Sequence, residues 1–493
     1  MDSARERPGH GASPSSPPIS PQLVLKELGD VTAGPLSIIY QRSWESGEVP
    51  AEWKLANVIP TYKKGVREDS GNYRPVSLTS VPGKIMEKII LGTTERHLKN
   101  NAIIRHSQHG FTKGKSRLTN LISFYDKVTH LVGEGKAMDI VLLGFSKAFD
   151  AVPHSILLEK LSSCGISGFM VHWVKNWLKG RAQRVVVDGT TSGWRPVTSG
   201  VPQGSILGPV LFNVLISDVD TGVACAISKF ADDTKLGGAV DSLEGQGALQ
   251  RDLDRLEIWA MINGMKFNKS KYRILHLRWS NAGHKYKLGA EWLEGSPAER
   301  GLGVLVAAGS IRRALAAKRA NRTLGCIKHS RTSQPKELII LLYSALMWPH
   351  LEFCVQFWAP QFKKDVKVPE CIQRRAPKLV KGLEDMSCKE QLRTSGLSSL
   401  ENRRLRGNLM ALYSFLRRGR GEGGAELFSL GSSDRTRGNG SDLHQRRFRW
   451  DIRKHFFTER VVKHWNRLPR EVVDVPSLSG FKRHLDNALN NML

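Results

Sequence analysis

The sequence predicts an α+β fold, and three observations carry that prediction. A near-continuous apolar run from Met138 to Leu143, broken only by Asp139, has the length and composition of a buried strand. Leu249, Leu253, Leu256 and Ala260 fall at i, i+4, i+7 and i+11 with Asp252, Asp254 and Arg255 between them, which is the spacing of an amphipathic helix. Around these the chain alternates strand, helix, hairpin, strand, helix and strand, an order that suits a sheet with its helices on one face.

Each element has its own signal. Residues 1 to 21 are rich in Pro, Ser and Gly with almost nothing to bury, and are expected to be a disordered leader. From Leu23 to about Ser43 apolar residues recur at helical spacing, and Val58-Ile59-Pro60 reads as a short strand leaving into a basic loop at Lys63-Lys64-Gly65. A helical stretch is expected around Ile156-Leu157-Leu158. Arg184 to Val187 and Trp194 to Val197 read as two strands joined through the turn signal Asp188-Gly189. A second buried strand near Ala226-Ile227 runs into Phe230-Ala231-Asp232-Asp233, and a last one lies around Arg273 to Leu277. Beyond roughly Gly289 the pattern turns mostly helical and basic, with Arg312, Arg313, Lys318, Arg319, Arg322 and Lys328 bunched in a few turns, as a grip on a phosphate backbone requires. Residues 419 to 440 read as a Gly-, Ser- and Arg-rich loop, and the last fifty residues as a further basic and aromatic block.

Lys plus Arg number 74 against 46 Asp plus Glu, and the net charge of +28 is spread along all 493 residues, which favours a polyanionic partner. The six cysteines are far apart, with no pair at zinc-knuckle spacing, so no zinc is expected. The N-terminus lacks an apolar h-region and no run of eighteen apolar residues occurs. Neither secretion nor membrane insertion is indicated, and the expected location is nuclear or cytoplasmic.

The chemistry concentrates in a few segments. Two adjacent acids at a strand end, Asp232-Asp233, point to opposite faces unless a turn or a cation intervenes; a solvated turn is the simple alternative. Upstream, Ser199-Gly200-Val201-Pro202-Gln203-Gly204-Ser205-Ile206-Leu207-Gly208-Pro209 is a glycine-studded loop entering a helix, either an ordinary turn or a place where backbone approaches a base or sugar. Arg74, in Gly71-Asn72-Tyr73-Arg74-Pro75-Val76-Ser77-Leu78, is either a surface cation or a partner for a triphosphate.

Taken in order, Gln108-His109-Gly110-Phe111, Phe145-Ser146-Lys147-Ala148-Phe149-Asp150, Pro202-Gln203-Gly204, Phe230-Ala231-Asp232-Asp233 and Met265-Lys266-Phe267-Asn268 resemble the motifs of LINE-type non-LTR retrotransposon reverse transcriptases. The likeness is to jockey relatives in the vertebrate clade named after the chicken repeat, and runs from about residue 35 to the C-terminus, where Arg435 to Gly440 and Trp465-Asn466-Arg467-Leu468-Pro469 also match. It implies a right-hand polymerase with fingers, ferredoxin-like palm, helical thumb and basic C-terminal extension. The implied division is a leader and entry helix (1–34), fingers (35–130), palm (131–280), helical thumb or connection (281–400) and a basic C-terminal region (401–493). It further implies an RNA template, a DNA primer and deoxynucleoside triphosphates as partners, and Mg²⁺, or Mn²⁺ in its place, as cofactor. Residue by residue, the resemblance makes Asp232 a metal ligand with Asp233 beside it, and Lys271 the proton donor to pyrophosphate. Arg74, Phe145, Phe149, Gln203 and Gly204 would bind the nucleotide, with Phe149 as the gate against a 2′-OH. The alternatives are a core Phe149, a solvated Lys271 and a turn-forming Gln203. No counterpart of the endonuclease such elements carry is legible, so target cleavage in cis is not expected. Maturase-like and telomerase-like readings fit the palm and tail motifs less well.

Phosphodiester synthesis of this kind uses two divalent cations about 3.5–4 Å apart, held by carboxylates from two strands. The family pattern on the first of those strands is Asp-Phe-Ser-Lys-Ala-Phe-Asp, whereas this chain reads Gly144-Phe145-Ser146-Lys147-Ala148-Phe149-Asp150. Asp139 lies about 16 Å back along an extended strand and cannot substitute, and Asp150 is a separate family position. The sequence therefore predicts a polymerase impaired in catalysis, or a non-catalytic nucleic-acid-binding remnant of one. Pro377 in Arg374-Arg375-Ala376-Pro377-Lys378 and the compressed stretch 304–313 are further departures, consistent with relaxed constraint.

Overall fold

The computed structural model describes residues 27–277, 281–307, 310–312, 314–329, 336–359, 363–375, 386–418, 427–429, 431, 442–445 and 451–492. The expected leader, Pro377 and the Arg435 to Gly440 segment lie outside these residues, and of the basic cluster at 312–328 only the exposed Arg322 has a described side chain.

In chain order come α1 (Gly29–Ser46), β1 (Leu55–Tyr62), β2 (Tyr73–Leu78), α2 (Val81–Asn100), α3 (Arg117–Gly133), β3 (Met138–Gly144), α4 (His154–Ser163) and α5 (Gly168–Leu178). Then follow β4 (Ala182–Val187), β5 (Thr190–Thr191), β6 (Arg195–Pro196), α6 (Gly208–Leu215), β7 (Ala226–Phe230), β8 (Asp233–Ala239), α7 (Leu243–Ile262) and β9 (Arg273–Leu277). The mixture of helices and sheets is the predicted α+β class. By contacts the chain forms two compact units, residues up to 103 with 149–215, and 104–148 with 216 onward.

The first unit holds a five-stranded sheet in the order β2-β1-β4-β5, with β6 also on β4. β1 runs antiparallel to β2 and parallel to β4. The turn signal works as expected: Asp188 and Gly189 both have positive φ, 47° and 81°, the two-residue geometry that reverses a twisted strand. The returning strand, however, is Thr190–Thr191, and Arg195–Pro196 pairs instead with Ala182 and Gln183 at the other end of β4. Buried Glu87 of α2 accepts hydrogen bonds from the backbone N–H groups of Ile206 (2.6 Å) and Leu207 (3.2 Å), capping the approach to α6.

The second unit is built on an antiparallel sheet, β7-β8-β3-β9. Here the helices lie on both faces, not on one. Met138 and Ile140 join a core with Leu121, Phe124, Tyr125 and Val128 of α3, while Val141 and Leu143 join another with Leu249, Leu253 and Leu256 of α7. The adjacent glycines of β8 make the point locally, Gly237 facing Phe124 and Gly238 facing Leu249. A strand covered on both sides has no polar face to show, which is why β3 reads as an unbroken apolar run.

Past residue 281 the chain is not mostly helical at first. A hairpin pairs β10 (Lys287–Leu288) with β11 (Glu291–Trp292), and a three-stranded sheet joins β12 (Ala298–Gly301), β13 (Val304–Ala307) and β14 (Ser310–Arg312) before α8 (Ala314–His329) begins. Strands of two to four residues are too short to display a period of two. Farther on, Phe457, Trp465, Phe481 and Leu485 share one apolar core with α3 and β3, together with α9 (Leu400–Arg418) and α10 (Leu478–Met492). Buried Arg453 ties this C-terminal block to α3, with Nη1 2.6 Å from Asp126 Oδ1 and Nη2 3.2 Å from Glu459 Oε1.

Candidate active site

The Phe230 to Asp233 segment is the tight connection between β7 and β8. Ala231 at its apex has φ 54°, a left-handed conformation unusual for a residue with a side chain. What holds it there is the Gln108-His109-Gly110 segment. Gln108 Oε1 accepts from the backbone N–H groups of both Gly110 (2.7 Å) and Ala231 (3.0 Å), and the backbones of His109 and Lys229 are hydrogen-bonded at 2.8 Å. Gly110 has to be glycine, since a Cβ there would stand 2.3 Å from Ala231 N. Gln108 is therefore a positioning residue for the acidic turn, a role the sequence offered only as one letter of a motif.

Asp233 is the first residue of β8, and its partner across the ladder is Gly144, the last residue of β3. The two strand ends that should bring carboxylates together thus do meet, but one side has only a backbone. Phe145, which directly follows Gly144, is buried and stacks on Phe267 at 4.5 Å between ring centroids, with Trp259 5.9 Å away. Backbone bonds from Ser146 N to Lys266 O (2.8 Å) and from Asn268 N to Gly144 O (2.7 Å) fasten the 265–271 segment along the end of β3. The ring of Phe145, expected to bind nucleotide, is here a core contact that fixes this segment.

That fastening lays Lys271 across the face of Gly144. Its Nζ lies 3.0 Å from Asp232 Oδ2 and 3.4 Å from Asp233 Oδ1. A Cβ added to Gly144 would stand 2.7 Å from Lys271 Cδ, 2.9 Å from its Nζ and 3.3 Å from Asp233 Oδ1. Loss of solvent and then the neighbouring Asp232 charge push the Asp233 carboxyl above its ordinary pKa, with Lys271 pulling the other way. Burial alone would lower the Lys271 ammonium, but the two carboxylates hold its pKa above the ordinary lysine value. Two residues on from Asp233, the amine of Lys235 is buried against the rings of Phe124 and Tyr125 and donates to Asn120 Oδ1 (3.0 Å).

The residues present do not fit a two-cation centre. Among the described residues no group of three or more His, Cys, Asp or Glu is placed to hold a metal ion. Two carboxylates remain, both engaged by Lys271, and the Gly144 carbonyl already accepts from Asn268. Asp139 is spent elsewhere: buried at the far end of β3, it accepts from Asn281 Nδ2 (2.7 Å) and Tyr286 OH (2.9 Å) and lies 2.7 Å from His276 Nδ1.

The remaining expected residues lie in the first unit. Phe149 is half-buried and stacks on Phe212 at 4.7 Å. Gln203 O accepts from Ser77 N (2.7 Å), and Gly204, with φ 121°, leaves no room for a Cβ, which would meet Ser77 O at 2.5 Å. The glycine is thus required for close packing of this loop on β2. Arg74, opposite Thr61 in the β1–β2 ladder, is exposed.

Residues 62–325, a little over half of the chain, match the family model described as reverse transcriptase (RNA-dependent DNA polymerase). The chain belongs to the reverse transcriptase family. Similar proteins include the RNA-directed DNA polymerase from the mobile element jockey of Drosophila melanogaster, 31% identical over 264 residues, 50% of this chain and 28% of that one. A probable RNA-directed DNA polymerase from the transposon X-element of the same fly is 25% identical over 354 residues, 68% of this chain and 38% of the relative. These names agree with the expected LINE-type, jockey-like assignment. This reverse transcriptase chain spans under a third of the length of the jockey relative. Among solved structures, apo telomerase from Candida Tropicalis has 10% identity and a TM-score of 0.43, covering 80% of this chain and 68% of that one. Among the described residues no helix is long and apolar enough to cross a membrane.

Proposed function

We propose that this chain is an RNA-directed DNA polymerase of a non-LTR retrotransposon, acting with an RNA template, a DNA primer and deoxynucleoside triphosphates, and impaired in nucleotidyl transfer. The observation that carries the reading is the pairing of Gly144 with Asp233: the two strand ends of a polymerase carboxylate site are in register, and one carboxylate is missing. In this reading Asp232 and Asp233 are the surviving acids, Phe145 and Gln108 position them, and Arg74, Phe149, Gln203 and Gly204 serve the incoming nucleotide. The division into leader and entry helix (1–34), fingers (35–130), ferredoxin-like palm (131–280), thumb or connection (281–400) and basic C-terminal region (401–493) belongs to the same proposal, as does a nuclear or cytoplasmic location. Mg²⁺ or Mn²⁺ is the cofactor of a repaired site, not of the arrangement described above.

Primer extension on an RNA template tests it. The chain itself is expected to extend poorly, the Gly144→Asp variant well, and the Gly144→Asp/Asp232→Asn double variant not at all. A double variant that extends as well as Gly144→Asp removes the assignment of this site.

A second reading, a nucleic-acid-binding remnant without catalysis, is favoured by the net charge of +28 combined with acids already paired with Lys271. It predicts tight binding to an RNA–DNA duplex with no extension by any variant.

A further inference from the structure

We infer that Lys271 is a built-in counter-cation of the Asp232–Asp233 pair, which excludes divalent ions from this site and is admitted there by the absent side chain of Gly144. The inference rests on the reading of these acids as the polymerase pair, and goes beyond it: the site has not only lost a carboxylate, it has also acquired a cation of its own.

Three observations support this. The Lys271 ammonium lies within 3.4 Å of an oxygen from each acid, between the groups that a divalent ion would have to bridge. Its side chain reaches that point across Gly144, at distances that leave no room for a Cβ: 2.7 Å to Cδ and 2.9 Å to Nζ. Any side chain at 144, an aspartate included, must therefore displace the far end of Lys271. The backbone that carries Lys271 is also fixed, through the Asn268 to Gly144 bond and the stacking of Phe267 on Phe145, which keeps the root of the side chain within reach of both acids. A like-charged divalent ion entering here has to expel the ammonium from both ion pairs and then meets only two carboxylates. Lysine suits such a role because its ammonium is a compact point charge on a flexible stem, with three donors to share between the two carboxylates.

The test is Mn²⁺ binding to the full chain, read from the electron paramagnetic resonance of free Mn²⁺, with thermal melting to establish that each variant folds. Two neutral variants, Lys271→Met and Lys271→Gln, are each expected to tighten Mn²⁺ binding by about tenfold or more, since a competing unit charge at contact distance is removed. Lys271→Arg is expected to stay close to the unaltered chain, because the charge is kept. Adding Asp232→Asn to Lys271→Met should abolish the gained site. If folded Lys271→Met and Lys271→Gln bind Mn²⁺ no more tightly than the unaltered chain, the inference is overturned. Tight binding by Gly144→Asp alone would then trace the defect to the missing carboxylate and leave the polymerase reading intact. Conversely, if the Lys271 variants gain Mn²⁺ but Gly144→Asp restores no extension, the counter-cation stands and the account of Gly144 in catalysis falls.

Discussion

Replacing Arg453 by Met isolates the energetics of the buried join between the C-terminal block and α3. Arg453 is 3% exposed, and its guanidinium serves Asp126 Oδ1 (2.6 Å), the Asp126 carbonyl (3.2 Å), Thr129 Oγ1 (3.2 Å) and, across the ion pair, Glu459 (3.2 Å). Thr458 Oγ1 adds a 2.5 Å hydrogen bond to Asp126. Methionine keeps much of the volume but leaves two carboxylates with little solvent and no cation. Breaking a buried pair by removing one partner costs about 3–5 kcal/mol, most of it the penalty of the stranded charge and not the value of the bond. Removing every charge together should return much of that loss, so Asp126→Asn/Arg453→Met/Glu459→Gln is expected to be more stable than Arg453→Met alone. Guanidinium denaturation followed by tryptophan fluorescence, which Trp465 in the same core reports, measures both. A loss under about 1 kcal/mol for Arg453→Met, or a triple variant no better than the single, would refute the idea that the C-terminal block and α3 form one cooperative core.

Other consequences can be checked separately. Gly144→Asp places a unit charge about 4 Å from any bound cation, worth on the order of 4 kcal/mol at an effective dielectric of 20, so primer extension should rise by roughly a thousandfold; an unchanged rate contradicts the reading of position 144. Burial holds the Lys235 ammonium down to about 7, well below the lysine value of 10.5, so the fold favours its neutral form. The stability this gives is complete above pH 10.5 and is lost as pH falls toward 7. Lys235→Met should therefore stabilise the chain by roughly 2–4 kcal/mol at pH 6 and by little at pH 10, and equal gains in melting temperature at both would contradict this. Binding to an RNA–DNA duplex should weaken steeply with salt, with a log–log slope set by the number of phosphates neutralised; affinity indifferent to ionic strength argues against the nucleic-acid partner.

What the sequence made legible, it did through long signals. The apolar run of β3 and the i, i+4, i+7 spacing of α7 each span enough residues for burial to leave a period, and both elements are present where expected. The short strands after residue 287 carry no such period and passed for helix. The placement of helices on both faces of the sheet was already written in the unbroken apolar run of β3, since a strand covered on one face only would alternate; the order of elements alone does not distinguish the two arrangements. At the site, the missing acid at Gly144 was visible because it is a departure from a fixed pattern. Its occupation by Lys271 was not, because residues 127 positions apart are brought together by the antiparallel pairing of β3 with β9 and by the Asn268 to Gly144 bond just beyond it, a register that the sequence alone does not specify. Gln108 was likewise invisible as a positioning residue, since its two hydrogen bonds go to backbone and leave no complementary side chain to recognise.

The long closure between Asp126 and Arg453, 327 residues apart, also bears on how the chain is made. At about 5–20 residues per second, a ribosome needs roughly 15–65 s after α3 emerges before Arg453 exists to neutralise Asp126. For that interval Leu121, Phe124 and Val128 lack the C-terminal half of their core. The nascent protein thus exposes part of its core, with an unpaired acid beside it, for most of its synthesis, so that its yield is set by how well this surface is shielded meanwhile and not only by the stability of the finished molecule.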